Sequence, residues 1–302
     1  MIKNFKEIFE RLSAFPPVKV SVIQAADEPV LEAIRDAKGM GFIKPILVGE
    51  KKDILKKAGE VGLKLEEDEI LDCPVEKAAK QGVNLVSQNS AEVLMKGLID
   101  TAAFMKAVLD PEAGLRTGEL LSHMAAFEVN SYHKLLFLTD GGVNISPTLE
   151  EKISILQNAI FALRCLGYEK PKVAVLCAVE TVSLKMPATV DAAIISKMAE
   201  RNQIKGAIID GPLALDNAVN KDAAIHKGIK SPVAGDADLL LVPDIEAGNA
   251  LGKSLSFLAN GAMAGIVLGA KAPIVLSSRA DSSFSKLASI ALACLVKRGG
   301  KI

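Results

Sequence analysis

Apolar positions in this chain fall into short uninterrupted runs that alternate with longer stretches in which they recur every three or four residues. Residues 18–23, 45–48 and 92–95 have the character of buried strands, and residues 27–38, 51–60 and 100–109, which follow them in turn, carry helical spacing. Further along, residues 172–177, 207–209, 238–242, 265–268 and 273–276 read as strands separated by segments of helical length. This alternation predicts an α/β protein with mainly parallel sheets covered by helices on both faces. Residues 122–128 and 134–139 interrupt it, two strand-like runs joined by a polar turn at 129–133, and predict a hairpin. At the start of the chain, Ile2, Phe5, Ile8, Phe9 and Leu12 interleave with charges as an amphipathic helix. The turn-rich segment 140–147, Asp-Gly-Gly-Val-Asn-Ile-Ser-Pro, precedes a long helix expected over 148–166 and is the expected domain boundary.

Composition narrows the picture. With 302 residues, half of them hydrophobic, the chain has core material for two domains. Lysine plus arginine balance aspartate plus glutamate at 36 each, so no global field draws in nucleic acid or an acidic membrane, and small-molecule chemistry is expected. Cys73, Cys165, Cys177 and Cys294 are far apart and form no Cys-x-x-Cys pair, as reduced core thiols would be. The first residues lack the apolar centre of a signal peptide, and no apolar run approaches membrane-spanning length. A cytoplasmic location is the expectation.

Candidate chemistry concentrates near the end of the chain. In residues 272–283 an apolar strand runs into Ser277, Ser278, Arg279, Ala280, Asp281, Ser282 and Ser283, and helical spacing begins at Phe284. Hydroxyls, a guanidinium and free N–H groups at a helix N-terminus suit an anion, phosphate above all. Read without a ligand, Ser282 or Ser283 is an N-cap, Asp281 a dipole partner and Arg279 a surface charge. Lys96 and Gly97 close a strand, and Arg116 stands between Gly114 and Gly118; glycines let backbone approach a ligand, though an ordinary surface charge explains Arg116 equally well. Asp210-Gly211-Pro212 follows the strand run 207–209, at the carboxyl edge where open α/β sheets hold ligands, or is a simple turn.

Several chemistries find no support. Residues 247–254, Ala-Gly-Asn-Ala-Leu-Gly-Lys-Ser, nearly match a phosphate-binding loop between a strand and a helix. Its first glycine is alanine, and Asp244 and Glu246 flank it with negative charge, so a nucleotide hydrolase is a minor alternative. There is no Gly-x-Gly-x-x-Gly fingerprint, no paired-histidine zinc motif around His123, His133 or His226, and no Gly-x-Ser-x-Gly elbow.

Taken together, residues 27–33 (Asp-Glu-Pro-Val-Leu-Glu-Ala), 95–98 (Met-Lys-Gly-Leu), 114–118 (Gly-Leu-Arg-Thr-Gly), 210–216 (Asp-Gly-Pro-Leu-Ala-Leu-Asp) and 278–282 (Ser-Arg-Ala-Asp-Ser) resemble the phosphate acetyl/butyryltransferase family over nearly the whole chain, and its butyryl branch in particular. The resemblance implies acyl-CoA plus phosphate giving acyl phosphate plus CoA, by direct transfer in a ternary complex. It implies coenzyme A and acyl-CoA as substrates, no metal or redox cofactor, and a homo-oligomer. It also implies two α/β/α domains with an interdomain cleft, as in isocitrate and isopropylmalate dehydrogenases. The expected domains are 1–146 with 277–302, and 147–276 inserted between them.

On this resemblance Arg279 would grip phosphate through its planar fork, Ser278 would donate to the developing oxyanion or to sulfur, and Asp281 would serve as base toward the CoA thiol. Arg116 would be a second clamp. Lys96, Gly97, Lys106, Asn144, Asp210 and Asn249 would bind phosphate or substrate, with Asp140 also at the site. Two positions depart from acetyl-transferring relatives: Ser285 stands where they carry an acid and Lys106 where they carry an arginine. The alternatives are an acetyl-preferring enzyme and a non-catalytic CoA or acyl-phosphate sensor.

Overall fold

The structure is a computed structural model and describes residues 1–278 and 280–300. Contacts gather the chain into two compact units: Phe5–Glu119 with the chain from Ala264 onward, and Met1–Asn4 with Leu120–Met263. Each is a mixed α/β layer structure whose strands are mainly parallel.

The first unit begins with α1 (Phe5–Leu12), β1 (Val18–Ile23), α2 (Glu28–Gly39), β2 (Ile43–Gly49), α3 (Lys51–Glu60), β3 (Ile70–Asp72), α4 (Val75–Ser87), β4 (Val93–Lys96) and α5 (Thr101–Val108). In the second are β5 (Ser122–Glu128), β6 (Leu136–Thr139), α6 (Leu149–Cys165), β7 (Lys172–Leu176), α7 (Pro187–Glu200), β8 (Ile208–Leu213), α8 (Leu215–Val219), α9 (Lys221–His226), β9 (Leu239–Leu241) and α10 (Ile245–Lys253). Then β10 (Ala262–Leu268), β11 (Ile274–Val275) and α11 (Ser283–Gly299) complete the first unit.

Strands of the first unit lie in the order β3-β2-β1-β4-β11-β10, parallel except for β10 against β11. From β1 the chain steps outward to β2 and β3, then returns to β4 on the other flank of β1. This reversal leaves a crevice at the carboxyl ends of β1 and β4. Val20, Val22, Val93, Leu94 and Met95 are fully buried, as strands covered on both faces require. Ser21, also buried, donates its hydroxyl to the Gly82 carbonyl of α4 at 3.0 Å. There α4 presses so closely that a Cβ on Gly82 would lie 2.3 Å from Ile23 Cγ1. Neither β3 nor α4 is evident in the apolar pattern: β3 has three residues, and α4 opens on Pro74 without a capping side chain.

α11 is buried along most of its length. At its end Arg298 donates to Glu92 Oε1 (2.8 Å) and to the carbonyls of Pro16 and Pro17 (3.1 and 3.0 Å). Near its start Phe284 meets Phe5 and Phe9 edge to face.

In the second unit the order is β5-β6-β9-β7-β8, with β5 and β6 forming the expected antiparallel hairpin and the rest parallel. Leu136, Leu138, Ala174, Leu176, Leu240 and Val242 contribute to a single core cluster. α6 starts on a capping box in which Thr148 Oγ1 accepts from Glu151 N and Glu151 Oε2 accepts from Thr148 N. The near phosphate-loop at 247–254 is a correction to the sequence reading. Asp244 caps α10 by accepting from Ala247 N at 2.8 Å, and Ala247–Lys253 lie inside that helix. Backbone N–H groups engaged in a helix cannot wrap a triphosphate.

At the amino ends of β6, β7 and β9, Lys134 is fully buried between Asp236 (2.8 Å) and Asp238 (2.7 Å), and Asp236 also pairs with Lys172 and His133. Burial alone would raise the Asp236 carboxyl, but hydrogen bonds from Lys134 and Lys172 bring it down to about 2. Such a group stabilises the fold above its unfolded pKa, about 3.9, and that contribution is lost as pH falls toward about 2. Lys134→Met should therefore cost about 3–5 kcal/mol, because it leaves the buried Asp238 carboxylate without its counter-charge, while Asp236 keeps Lys172. Urea unfolding near neutral pH measures this. Wild type should lose part of its stability between about pH 4 and 2, and Asp236→Asn should flatten that limb.

Candidate active site

Parallel strands deliver their carboxyl ends to one edge, and in the first unit β1, β4 and β11 end there side by side. Gln24, at φ 49°, turns the chain from β1 toward Asp27 at the start of α2. Lys96 ends β4 and Gly97 follows it. Because Val275 pairs with Met95, the chain leaves β11 alongside Lys96 and Gly97 and enters the turn at Ser278. Gly97 N donates to Ile23 O at 2.9 Å and Leu98 N to Gln24 O at 2.8 Å. A Cβ on Gly97 would lie 2.4 Å from Gln24 O and 2.5 Å from Ile23 O, so only glycine permits this approach. Lys96 is buried, and its Nζ donates to the Gly97 carbonyl at 3.3 Å.

The turn itself is held from within. Asp281 Oδ2 accepts from Ser278 N at 2.7 Å, Asp281 N donates to Ser278 O at 3.2 Å, and Ala280 N donates to Ser278 Oγ at 3.3 Å. Ser282 caps α11, its Oγ accepting from Ser285 N at 3.1 Å. Ser278 is exposed and Asp281 half-buried, so a hydroxyl and a carboxylate share one turn ahead of a helix N-terminus. Arg279 lies outside the described residues.

Beneath the turn is a residue the sequence reading missed. Lys286, 2% exposed, donates from Nζ to the carbonyls of Ser278 (3.0 Å) and Asp281 (2.7 Å). Burial pulls its pKa below the ordinary lysine value, against the charges of Asp281 and Asp27. The available signal was its place: Lys286 opens the apolar run Leu287–Val296 of α11, which is buried on every side.

Other residues singled out in the sequence fall elsewhere. Lys106 is exposed on the last turn of α5. The Gly114–Gly118 segment lies against the turn that precedes β11: Lys271 N donates to Leu115 O (2.9 Å), Thr117 Oγ1 donates to Gly269 O (2.6 Å), and Arg116 bridges to Ala270. That turn sits at the amino edge of the parallel strands, opposite the edge where Ser278 follows β11.

In the second unit, Asp140 is buried after β6 and organises the following loop. Its Oδ1 accepts from Gly142 N (2.8 Å) and Val143 N (2.9 Å), and its Oδ2 from Asn144 Nδ2 (2.7 Å). Asn144 Nδ2 also donates to Leu121 O (2.8 Å), and Asn249 Nδ2 donates to Gly141 O (3.3 Å). Asn144 and Asn249 thus come together around one loop: the Asn144 amide ties the Asp140 carboxylate to the Leu121 carbonyl, and the Asn249 amide reaches the loop's Gly141 carbonyl. Asp210 is inside β8, paired with Ala174, rather than after a strand, and its Oδ1 accepts from Gly211 N at 2.8 Å. As the edge strand, β8 accommodates Pro212 and a register shift that a central strand would not.

A cavity of about 260 Å³ opens in the first unit at the carboxyl ends of β1 and β2, lined by Gln24, Gly49, Ile54, Lys57, Val75 and Leu98 among others. Among the described residues no three His, Cys, Asp or Glu side chains gather as a metal site requires.

Comparison with known proteins gives concordant results. The family described as Phosphate acetyl/butaryl transferase matches residues 68–294. A phosphate butyryltransferase of Clostridium acetobutylicum is 49% identical over 297 residues, covering 98% of this chain and 99% of that protein. A phosphate acetyltransferase of Thermotoga maritima is 45% identical over 277 residues, covering 92% and 94%. The crystal structure of a branched-chain phosphotransacylase from Enterococcus faecalis superposes with a TM-score of 0.80 at 32% identity, covering 93% of this chain and 99% of that one.

Gly97→Ala should destabilise the first unit by about 1–3 kcal/mol, since the new methyl meets two main-chain oxygens that cannot rotate away. Thermal unfolding checks this, and an unchanged midpoint would mean that the strand ends sit further apart.

Proposed function

This chain belongs to the Phosphate acetyl/butaryl transferase family and is a phosphate acyltransferase, and from that premise we propose that it prefers butyryl-CoA as donor and transfers the acyl group directly to phosphate in a ternary complex. The observation that carries the reading is 49% identity over essentially full length to a protein named phosphate butyryltransferase. The 45% match to a phosphate acetyltransferase makes acetyl-CoA the alternative donor.

In this reading a phosphate oxygen attacks the thioester carbonyl carbon, the C–S bond breaks as the oxyanion collapses, and the CoA thiolate leaves and takes up a proton. Arg279 grips the phosphate, bidentate where lysine would act as a point charge. Ser278 donates to the oxyanion or to sulfur. Asp281 takes the proton that the attacking hydrogen phosphate gives up and passes it to sulfur, and in the reverse direction takes it from a thiol that is mostly protonated at neutral pH. Its carboxylate already accepts from Ser278 N, so base and hydroxyl are carried on one short turn. Orientation of two bound substrates supplies much of the acceleration.

Lys96 and Gly97 are assigned to the same substrates because they adjoin that turn. Lys106, Arg116, Asn144, Asp210 and Asn249 retain their assignment on the resemblance alone. The reaction is redox-neutral and balances without a metal or redox cofactor; coenzyme A and acyl-CoA enter as substrates. A cytoplasmic homo-oligomer with an isocitrate/isopropylmalate dehydrogenase-like domain arrangement completes the reading. No helix among the described residues is long and apolar enough to cross a membrane.

Adding phosphate to enzyme and butyryl-CoA should release free thiol, followed with a chromogenic thiol reagent. kcat/KM should be higher for butyryl-CoA than for acetyl-CoA; the reverse order would make it an acetyltransferase, and no release at all would make it a binding protein. Ser278→Ala should lower kcat by about 100- to 1,000-fold, and Arg279→Ala should cut turnover severely and weaken phosphate use with the fold intact.

A further inference from the structure

We propose that Lys286 is a positioning residue for phosphate: its buried ammonium clamps the main chain of Ser278 and Asp281 from behind and sets a positive charge beneath the turn that receives the anion. The inference rests on the reading above and extends it to a residue that no motif singles out.

Three observations carry it. First, Nζ binds two carbonyl oxygens of the same turn, Ser278 O at 3.0 Å and Asp281 O at 2.7 Å. Carbonyl oxygens carry partial negative charge, and turning both toward the ammonium withdraws that charge from the face an anion approaches. Second, Lys286 makes no ion pair among the described residues, while Asp281 and Asp27 act on it only through their fields. At 2% exposure its charge is weakly screened and is not cancelled by a touching carboxylate.

Third, the arrangement is poorly explained as a structural link. Ser282 already caps α11 and Asp281 already closes the turn. The residues that follow it, Leu287–Val296, are all buried and mostly apolar, and burying an ammonium at the head of that run is costly where an apolar side chain would be favourable. Burial accordingly lowers the lysine pKa. A buried cation with a perturbed pKa, directed at the turn that carries the catalytic hydroxyl, fits a role in anion handling.

The test compares full-length Lys286→Met, Lys286→Gln and Lys286→Arg in the thiol-release assay, with thermal unfolding measured in parallel. Lys286→Met should fold, lower kcat by about 100-fold, raise KM for phosphate, and leave KM for butyryl-CoA within about threefold of wild type. Lys286→Gln, which retains a donor without the charge, should behave like Lys286→Met, and Lys286→Arg should recover most of the lost rate. Should Lys286→Met fail to fold, the contrast between Lys286→Gln and Lys286→Arg decides. Turnover within about threefold of wild type in Lys286→Gln, or equal losses in Lys286→Gln and Lys286→Arg, would overturn the proposal while leaving the acyltransferase reading standing. A wild-type protein that releases no thiol from either acyl-CoA would overturn both.

Discussion

Everything at the candidate site depends on the parallel pairing of β4 with β1 on one side and β11 on the other. These short strands are buried on both faces, so their register is set by packing from above and below. Once Met95 lies opposite both Val22 and Val275, the three chain exits that follow are forced to one edge. Lys96, Gly97 and the turn at Ser278 become neighbours although they are far apart in sequence. The same pairing sends the segment around Arg116 to the other edge, because α5 has carried the chain back before β5 begins.

Charge inside this protein is tolerated only where its partners are fixed, and the pattern differs between the two units. In the second unit Lys134 is paired with Asp236 and Asp238, and Asp140 accepts from a ring of N–H donors, so both act as staples at strand ends. In the first, Arg298 ties the end of α11 to Glu92 immediately ahead of β4 and to the Pro16 and Pro17 carbonyls ahead of β1. Lys286 at the other end of that helix has carbonyl oxygens rather than carboxylates as its partners. A helix stapled by a compensated pair at one end and carrying a cation uncompensated by contact at the other is polarised toward the turn it supports.

The cysteines follow the same logic. Burial pushes the Cys177 thiol up to about 11, and its Sγ lies 3.3 Å from the Ala188 carbonyl, so it behaves as a small core group. Nucleophilic chemistry by the Cys177 thiolate is therefore unfavourable, and the proposed reaction asks for none.

Much of this was legible in one dimension. β1 and α3 occur where apolar spacing predicts them, the hairpin of β5 and β6 is present, and the serines and acid of residues 278–282 stand ahead of a helix. These features are local: periodicity reports a buried face, and capping chemistry reports a helix start, without reference to anything distant. The Asp210 segment was misread because a proline suggested a turn, whereas an edge strand absorbs it; the near phosphate-loop, disfavoured by its missing glycine and flanking acids, was placed ahead of a helix whereas it lies inside one. By itself, then, the sequence determined the alternation of strands and helices, the buried stripes and the residue types available for anion chemistry. Tertiary structure alone decided which strand ends meet, that Arg116 and Ser278 occupy opposite edges, and that Lys286 lies under the turn, because parallel pairing and helix packing join residues whose separation along the chain carries no local signal.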